Sequence, residues 1–186
     1  MFDTWRRSTL YFMVIQSQDH RTTRGISSIK KVLIIYHSQS GNTEAMAKAV
    51  SEGAKAAGAA VVLKRAVDAN AEDILACDIV AIGTPNYFGY MAGLVKDYFD
   101  RVWATIRDKV GNKPYVTFGS KGGGSAQALD SVDRICDGLK MIKAFEGILA
   151  TRKPTEEDLA ECRELGKKLA RLEKTEKPQR IEEPRL

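Results

Sequence analysis

Cysteine, histidine and charge of one dominant sign are all scarce in this chain, and each shortage removes a class of function. The three cysteines, Cys77, Cys136 and Cys162, lie far apart and form no C-x-x-C pair. A disulfide scaffold, a structural zinc site and an iron–sulfur cluster are thereby excluded, and reduced core thiols in a cytoplasmic protein are expected. His20 and His37 are the whole stock of imidazole, so no metal centre is expected. No apolar run approaches the roughly 20 residues that a bilayer requires, so no membrane span is expected. The 29 basic and 24 acidic residues give +5 and a pI near 9.1. That mild excess is spread along the chain and argues for no nucleic-acid surface. Two nucleotide signatures are missing too, the lysine-bearing G-x-x-x-x-G-K-[ST] loop and the G-x-G-x-x-G fingerprint.

What remains is a soluble composition, 44% hydrophobic and 28% charged over 186 residues, enough for one domain with a substantial core. Its organising stretch is Ser38-Gln39-Ser40-Gly41-Asn42-Thr43. The apolar run Val32–Tyr36 before it is short and β-branched, which predicts a buried strand. The small and apolar stripe Ala45, Met46, Ala49, Val50, Gly53, Ala54 and Ala57 after it predicts a helix. The loop therefore occupies a helix N-terminus, where unpaired N–H groups and the macrodipole attract an anion. Three hydroxyls and an amide add donors, Gly41 permits a tight backbone path, and no Lys or Arg falls between His37 and Met46. A phosphate here would be held by neutral groups alone. An ordinary N-cap uses the same residue types, so the stretch needs company to count as a site.

The rest of the chain supplies it. Residues 1–29 do not fit the pattern: Arg6 and Arg7 precede a short apolar run, Leu10–Ile15, and no small-residue cleavage site follows. They are read as an extension outside the domain of residues 30–173. Strands are predicted at Ala60–Ala66, Ile79–Gly83, Tyr115–Phe118 and Ala144–Leu149, with a short helical turn within Asp68–Asp78. A helix over about 92–107 is expected to bury Leu94, Val95, Tyr98, Phe99, Val102, Trp103 and Ile106. A further helix carries Ala126, Leu129, Val132, Ile135, Cys136 and Leu139. The last begins at a capping box, Thr155 with Asp158, and buries Leu159, Cys162, Leu165 and Leu169. Residues 174–186 read as a charged tail.

Five alternations with apolar strands predict an α/β fold, a five-stranded parallel sheet doubly wound by helices. Ligands of such sheets bind beyond the strands' carboxyl ends. Three irregular loops follow strands there: Ser38–Thr43, Thr84–Gly93 and Gly119–Ser125. Together they make one candidate site.

Two of these loops resemble the flavodoxin-like FMN proteins. Ser38–Thr43 is similar to the family's [ST]-x-[ST]-G-x-T phosphate loop, and Gly83-Thr84-Pro85-Asn86-Tyr87-Phe88-Gly89 looks like the P-x-Y-F-G segment of its reductases. The resemblance spans about residues 31–172 and implies the strand order 2-1-3-4-5. It also implies FMN as cofactor, with the phosphate on Ser38, Gln39, Ser40, Gly41, Asn42 and Thr43. The flavin ring would lie against Pro85, Asn86, Tyr87, Phe88 and Gly89, with Ser120, Lys121, Gly122, Gly123 and Gly124 along its other edge. A flavin needs an apolar wall and backbone donors, and these residue types supply both. The implied function is electron transfer through a non-covalent flavin to a redox partner protein or a small quinone-like acceptor. An NAD(P)H-dependent quinone or FMN oxidoreductase is the alternative, with a homo-oligomer left open. No catalytic acid or base is required, and His37 is expected to pack beside the phosphate loop. Lys121, the one charge of the third loop, is expected to stabilise the anionic reduced flavin.

Overall fold

The computed structural model describes residues 29–173. The expectations for residues 1–28 and for the tail 174–186 fall outside the described residues. Within them, strands β1 (Lys31–Tyr36), β2 (Ala60–Arg65), β3 (Ile79–Pro85), β4 (Pro114–Lys121), β5 (Ile142–Lys143) and β6 (Ile148–Thr151) alternate with helices. These are α1 (Asn42–Ala56), α2 (Ala71–Ala76), α3 (Gly93–Ile106), α4 (Gln127–Gly138) and α5 (Glu156–Arg171). All strand pairs are parallel and run β2-β1-β3-β4-β5, with β6 also on β4.

Strands β1, β3 and β4 bury both faces because their apolar residues run unbroken, whereas the flanking β2 and β5 stay partly or fully exposed. Alternate side chains then enter opposite cores. Leu33, Ile35, Val80, Ile82 and Tyr115 pack under α2, α3 and α4. Val32, Ile34, Tyr36, Ile79, Ala81, Val116 and Phe118 pack under α1 and α5. The second layer is close because of glycine. A Cβ on Gly166 would stand 2.1 Å from the Val50 carbonyl oxygen, and one on Gly53 only 1.8 Å from that of Arg163.

Three sequence expectations are corrected. The fifth strand is two segments rather than Ala144–Leu149: Tyr115 pairs with Lys143 and Phe118 with Ile148, so two extra residues bulge between them. Gly147 sits tightly over Thr117 there, its notional Cβ 2.7 Å from the Thr117 hydroxyl. Next, β4 does not stop at Phe118 but runs on through Gly119, Ser120 and Lys121, and β3 continues to Pro85. Gly119 reads as loop in sequence yet belongs to the strand, where the Thr84 carbonyl leaves no room for a side chain. Finally, Leu94 and Trp103 flank the buried stripe of α3 and are partly exposed rather than core. The capping box at Thr155 forms as expected, with Asp158 N donating to Thr155 Oγ1 at 3.2 Å and Thr155 N to Asp158 Oδ2 at 2.7 Å.

Candidate functional site

Strand register brings the loop-bearing ends together. Tyr36 pairs with Gly83, Pro85 with Ser120, and Lys121 with Thr151, so the loops after β1, β3, β4 and β6 leave one edge of the sheet side by side.

The first loop starts with His37 N donating to the Gly83 carbonyl at 3.1 Å. Gly41 then adopts φ +84° and becomes the N-cap of α1, with no side chain capping the helix. A side chain at that angle would be strained. Ala45 N donates to the Gly41 carbonyl, which leaves the amides of Asn42, Thr43 and Glu44 without intrahelical partners. The hydroxyls of Ser38 and Ser40 make no hydrogen bond among the described residues. Thr43 is fully buried, and its Oγ1 lies 3.0 Å from Ser120 Oγ. The one anion of this turn, Glu44, is tied to Lys48 at 2.8 Å, and that lysine holds its carboxyl below the usual range. Burial, with Arg65 as the lesser cause, lowers the His37 pKa, so the imidazole is neutral at pH 7. It packs edge-on against Tyr87, ring centres 6.3 Å apart. The turn thus presents uncharged donors and the helix end.

The second loop is a pinned hairpin. Tyr87 and Tyr90 exchange backbone hydrogen bonds at 3.0 Å around Phe88 and Gly89. Both central residues have positive φ, +53° and +77°, which marks a type I′ turn. Holding an aromatic L-residue there costs about 1 kcal/mol or more, and the Phe88 side chain is fully exposed. Below the turn, Asn86 N donates to the Ser120 carbonyl at 2.8 Å and Asn86 Nδ2 to that of Ser125 at 3.3 Å. Ala92 N donates to Thr84 Oγ1 at 2.9 Å, and Met91 N to Ser131 Oγ at 3.0 Å. Asn86 Oδ1 is buried with no partner among the described residues, an acceptor open to a donor from outside the protein.

In the third loop Lys121 folds back, its Nζ donating to the Gly124 carbonyl at 2.7 Å. Gly122, Gly123 and Gly124 are exposed, and a Cβ on any of them would meet nothing within 4 Å. The hydroxyl of Ser120 turns inward to Thr43. Sequence reasoning missed Ser131, whose hydroxyl also donates to the Ala128 carbonyl. Its only signal was a polar residue between Leu129 and Val132 on a buried stripe. The fourth loop was missed as well: Arg152 N donates to the Lys121 carbonyl at 2.6 Å with Arg152 at φ +63°. A separate cleft of about 640 Å³ between Phe145, Ile148 and the outer face of α5 is rimmed by solvated ion pairs such as Lys167–Glu164 and gathers no comparable donors.

A neutral anion cradle at a helix end, an aromatic hairpin one strand over and an orphaned acceptor at the hairpin's foot fit a mononucleotide that carries a flat ring. This defines the class as an α/β mononucleotide-binding protein. The Flavodoxin family profile matches residues 34–166, and the chain belongs to the flavodoxin family of FMN-binding redox proteins. It is 33% identical over 157 residues to the flavodoxin of Aquifex aeolicus, covering 75% of this chain and 85% of that one. It is 34% identical over 137 residues to NAD(P)H dehydrogenase (quinone) 3 of Rhizobium meliloti, covering 60% of this chain and 64% of that protein. The solved structure of two-electron reduced Megasphaera elsdenii flavodoxin superposes with a TM-score of 0.66 at 29% identity, covering 76% of this chain and 99% of that one. No helix among the described residues is long and apolar enough to cross a membrane.

Proposed function

We propose that this chain is an electron carrier that shuttles electrons between partner proteins on a non-covalently held FMN. The observation that carries this reading is the uncapped α1 N-terminus beside the Tyr87–Tyr90 hairpin, joined to it by the His37–Tyr87 ring contact, with Asn86 Oδ1 buried at the hairpin's foot and without a partner among the described residues. Ser38, Ser40, Asn42, Thr43 and the amides of the first helical turn would hold the phosphate, with Gln39 and Gly41 shaping the loop around it. Pro85, Asn86, Tyr87, Phe88 and Gly89 would line one side of the ring, with the Gly122–Gly124 backbone along its edge. FMN, when bound, supplies reversible uptake of one or two electrons. Ser120 positions Thr43 by the hydrogen bond between their hydroxyls. Lys121, fixed by the Gly124 carbonyl, brings the one positive charge of the third loop and favours added negative charge beside it. Neutral, buried thiols in all three cysteines agree with a cytoplasmic setting.

A second reading is favoured by one observation. The third loop carries no aromatic side chain and stands open, leaving room for a quinone or a nicotinamide to stack, as expected of an NAD(P)H-dependent quinone oxidoreductase. The two are separated by loading the protein with FMN and adding NAD(P)H and a soluble quinone. Slow NAD(P)H consumption beside fast exchange with protein electron donors supports the carrier; rapid quinone-dependent turnover supports the enzyme.

A further inference from the structure

The sheet edge described above holds two large side chains on left-handed backbone, Phe88 and Arg152. Strained positions gather at functional sites; the other two such residues, Asn112 and Lys140, pair with each other at the opposite ends of β4 and β5. Arg152 and Lys153 are exposed. They adjoin Lys121 through the Lys121–Thr151 register pair and the Arg152 N to Lys121 carbonyl bond. None of the three cations has an ion-pair partner among the described residues, and the connecting segments 86–92, 122–126 and 152–155 contain no acid. Two of the nearby acids are ion-paired, Glu44 with Lys48 and Glu156 with Arg163 at 2.7 Å, whereas Asp158 keeps its charge while capping α5 through the Thr155 amide. Asp130, Glu157 and Asp158, in the first turns of α4 and α5, are acids without a cation partner among the described residues, and they border the rim on its helix side. Phe88 and Tyr90 stand beside this cationic rim as exposed aromatic surface. An aromatic centre with a charged border is the make-up of a protein-docking patch.

We infer that the face built from the Phe88 hairpin and the Lys121–Arg152–Lys153 rim docks a redox protein whose own surface is acidic. The inference rests on the FMN reading above and adds the partner's chemistry. Rim charges act chiefly on the encounter rate and its salt dependence. Binding brings the partner's redox centre to the loops; one electron then leaves the reduced partner and is taken up by the oxidised flavin, with no covalent bond made.

The test uses the full-length, FMN-loaded chain with reduced plant-type [2Fe–2S] ferredoxin, an acidic one-electron donor, followed by stopped flow. The rate is expected to fall about tenfold or more between roughly 20 mM and 500 mM salt. In Arg152→Glu/Lys153→Glu the low-salt rate drops about tenfold and its salt dependence flattens. Arg152→Gln/Lys153→Gln, a milder change, gives an intermediate slope with the same flavin spectrum. A salt-independent wild-type rate, or variants that keep the wild-type slope, overturns the docking inference. So does a double variant that raises the KM for NADPH while leaving the ferredoxin rate unchanged, because the rim would then be a nucleotide site. A chain that takes up no FMN fails at the earlier step and overturns the cofactor reading itself.

Discussion

Replacing Phe88 with asparagine should make the FMN-free protein more stable and its cofactor affinity weaker. Phe88 holds φ +53° at the first central position of a type I′ turn, where asparagine followed by glycine is the preferred pair; Gly89 is already in place. The left-handed angle costs an ordinary L-residue about 1–2 kcal/mol, and asparagine tolerates it far better. The native phenyl ring is fully exposed, so its removal forfeits no buried contact. The net gain should be about 1 kcal/mol, or roughly 2–4 °C in the melting temperature of a domain this size. With FMN the sign reverses. Losing an aromatic wall costs about 1–1.5 kcal/mol of stacking, close to a tenfold rise in Kd. Thermal melts followed by circular dichroism, paired with a flavin fluorescence titration, read both effects. An unchanged or lowered apo melting temperature would refute the assignment of strain to this turn.

Other outcomes follow from the same geometry. Gly166→Ala must push α5 off the Val50 and Ala54 backbone of α1, and should lose about 1–3 kcal/mol in urea unfolding; a neutral result would show that the helices are not in contact there. Thr43→Val leaves the buried Ser120 hydroxyl without its partner and should cost about 1–3 kcal/mol. Adding Ser120→Ala should recover part of that stability but none of the FMN affinity, as a double-mutant cycle would record. Burial raises the thiols, Cys77 to about 11 and Cys162 to about 12. Above pH 9 the unfolded chain therefore sheds protons that the native one keeps. Stability should decline from about pH 9 to 11, and the native protein should resist thiol reagents at pH 8. Serial melts across that range, or fast labelling of the folded state, check both.

The parts of this fold that were legible in sequence are those set by local chemistry. The Val32–Tyr36 run, the Thr155–Asp158 capping box and the small stripe through Gly53 each state their own structure. What escaped was set by neighbours. Gly119 signals a loop until the Thr84 carbonyl beside it is seen to require glycine within a strand. The bulge between β5 and β6 depends on how Gly147 rides over Thr117, which no property of residues 144–147 reveals. At the site, Ser38–Thr43 announced itself by composition, whereas the inward turn of Ser120 comes from register across 77 residues. Arg152 was invisible for a different reason: its interest lies in a backbone angle, and arginine carries no sign of one. Trp103 and Leu94 misled because helical spacing marks a face without marking its width.

The central claim is that neutral groups at the mouth of α1 grip a phosphate. Parallel fluorescence titrations with FMN and riboflavin, which differ only in that phosphate, test it most directly. With three or more donors each contributing about 1 kcal/mol or more to a charged acceptor, FMN should bind at least about a hundredfold more tightly. Equal affinities for the two flavins would contradict the account.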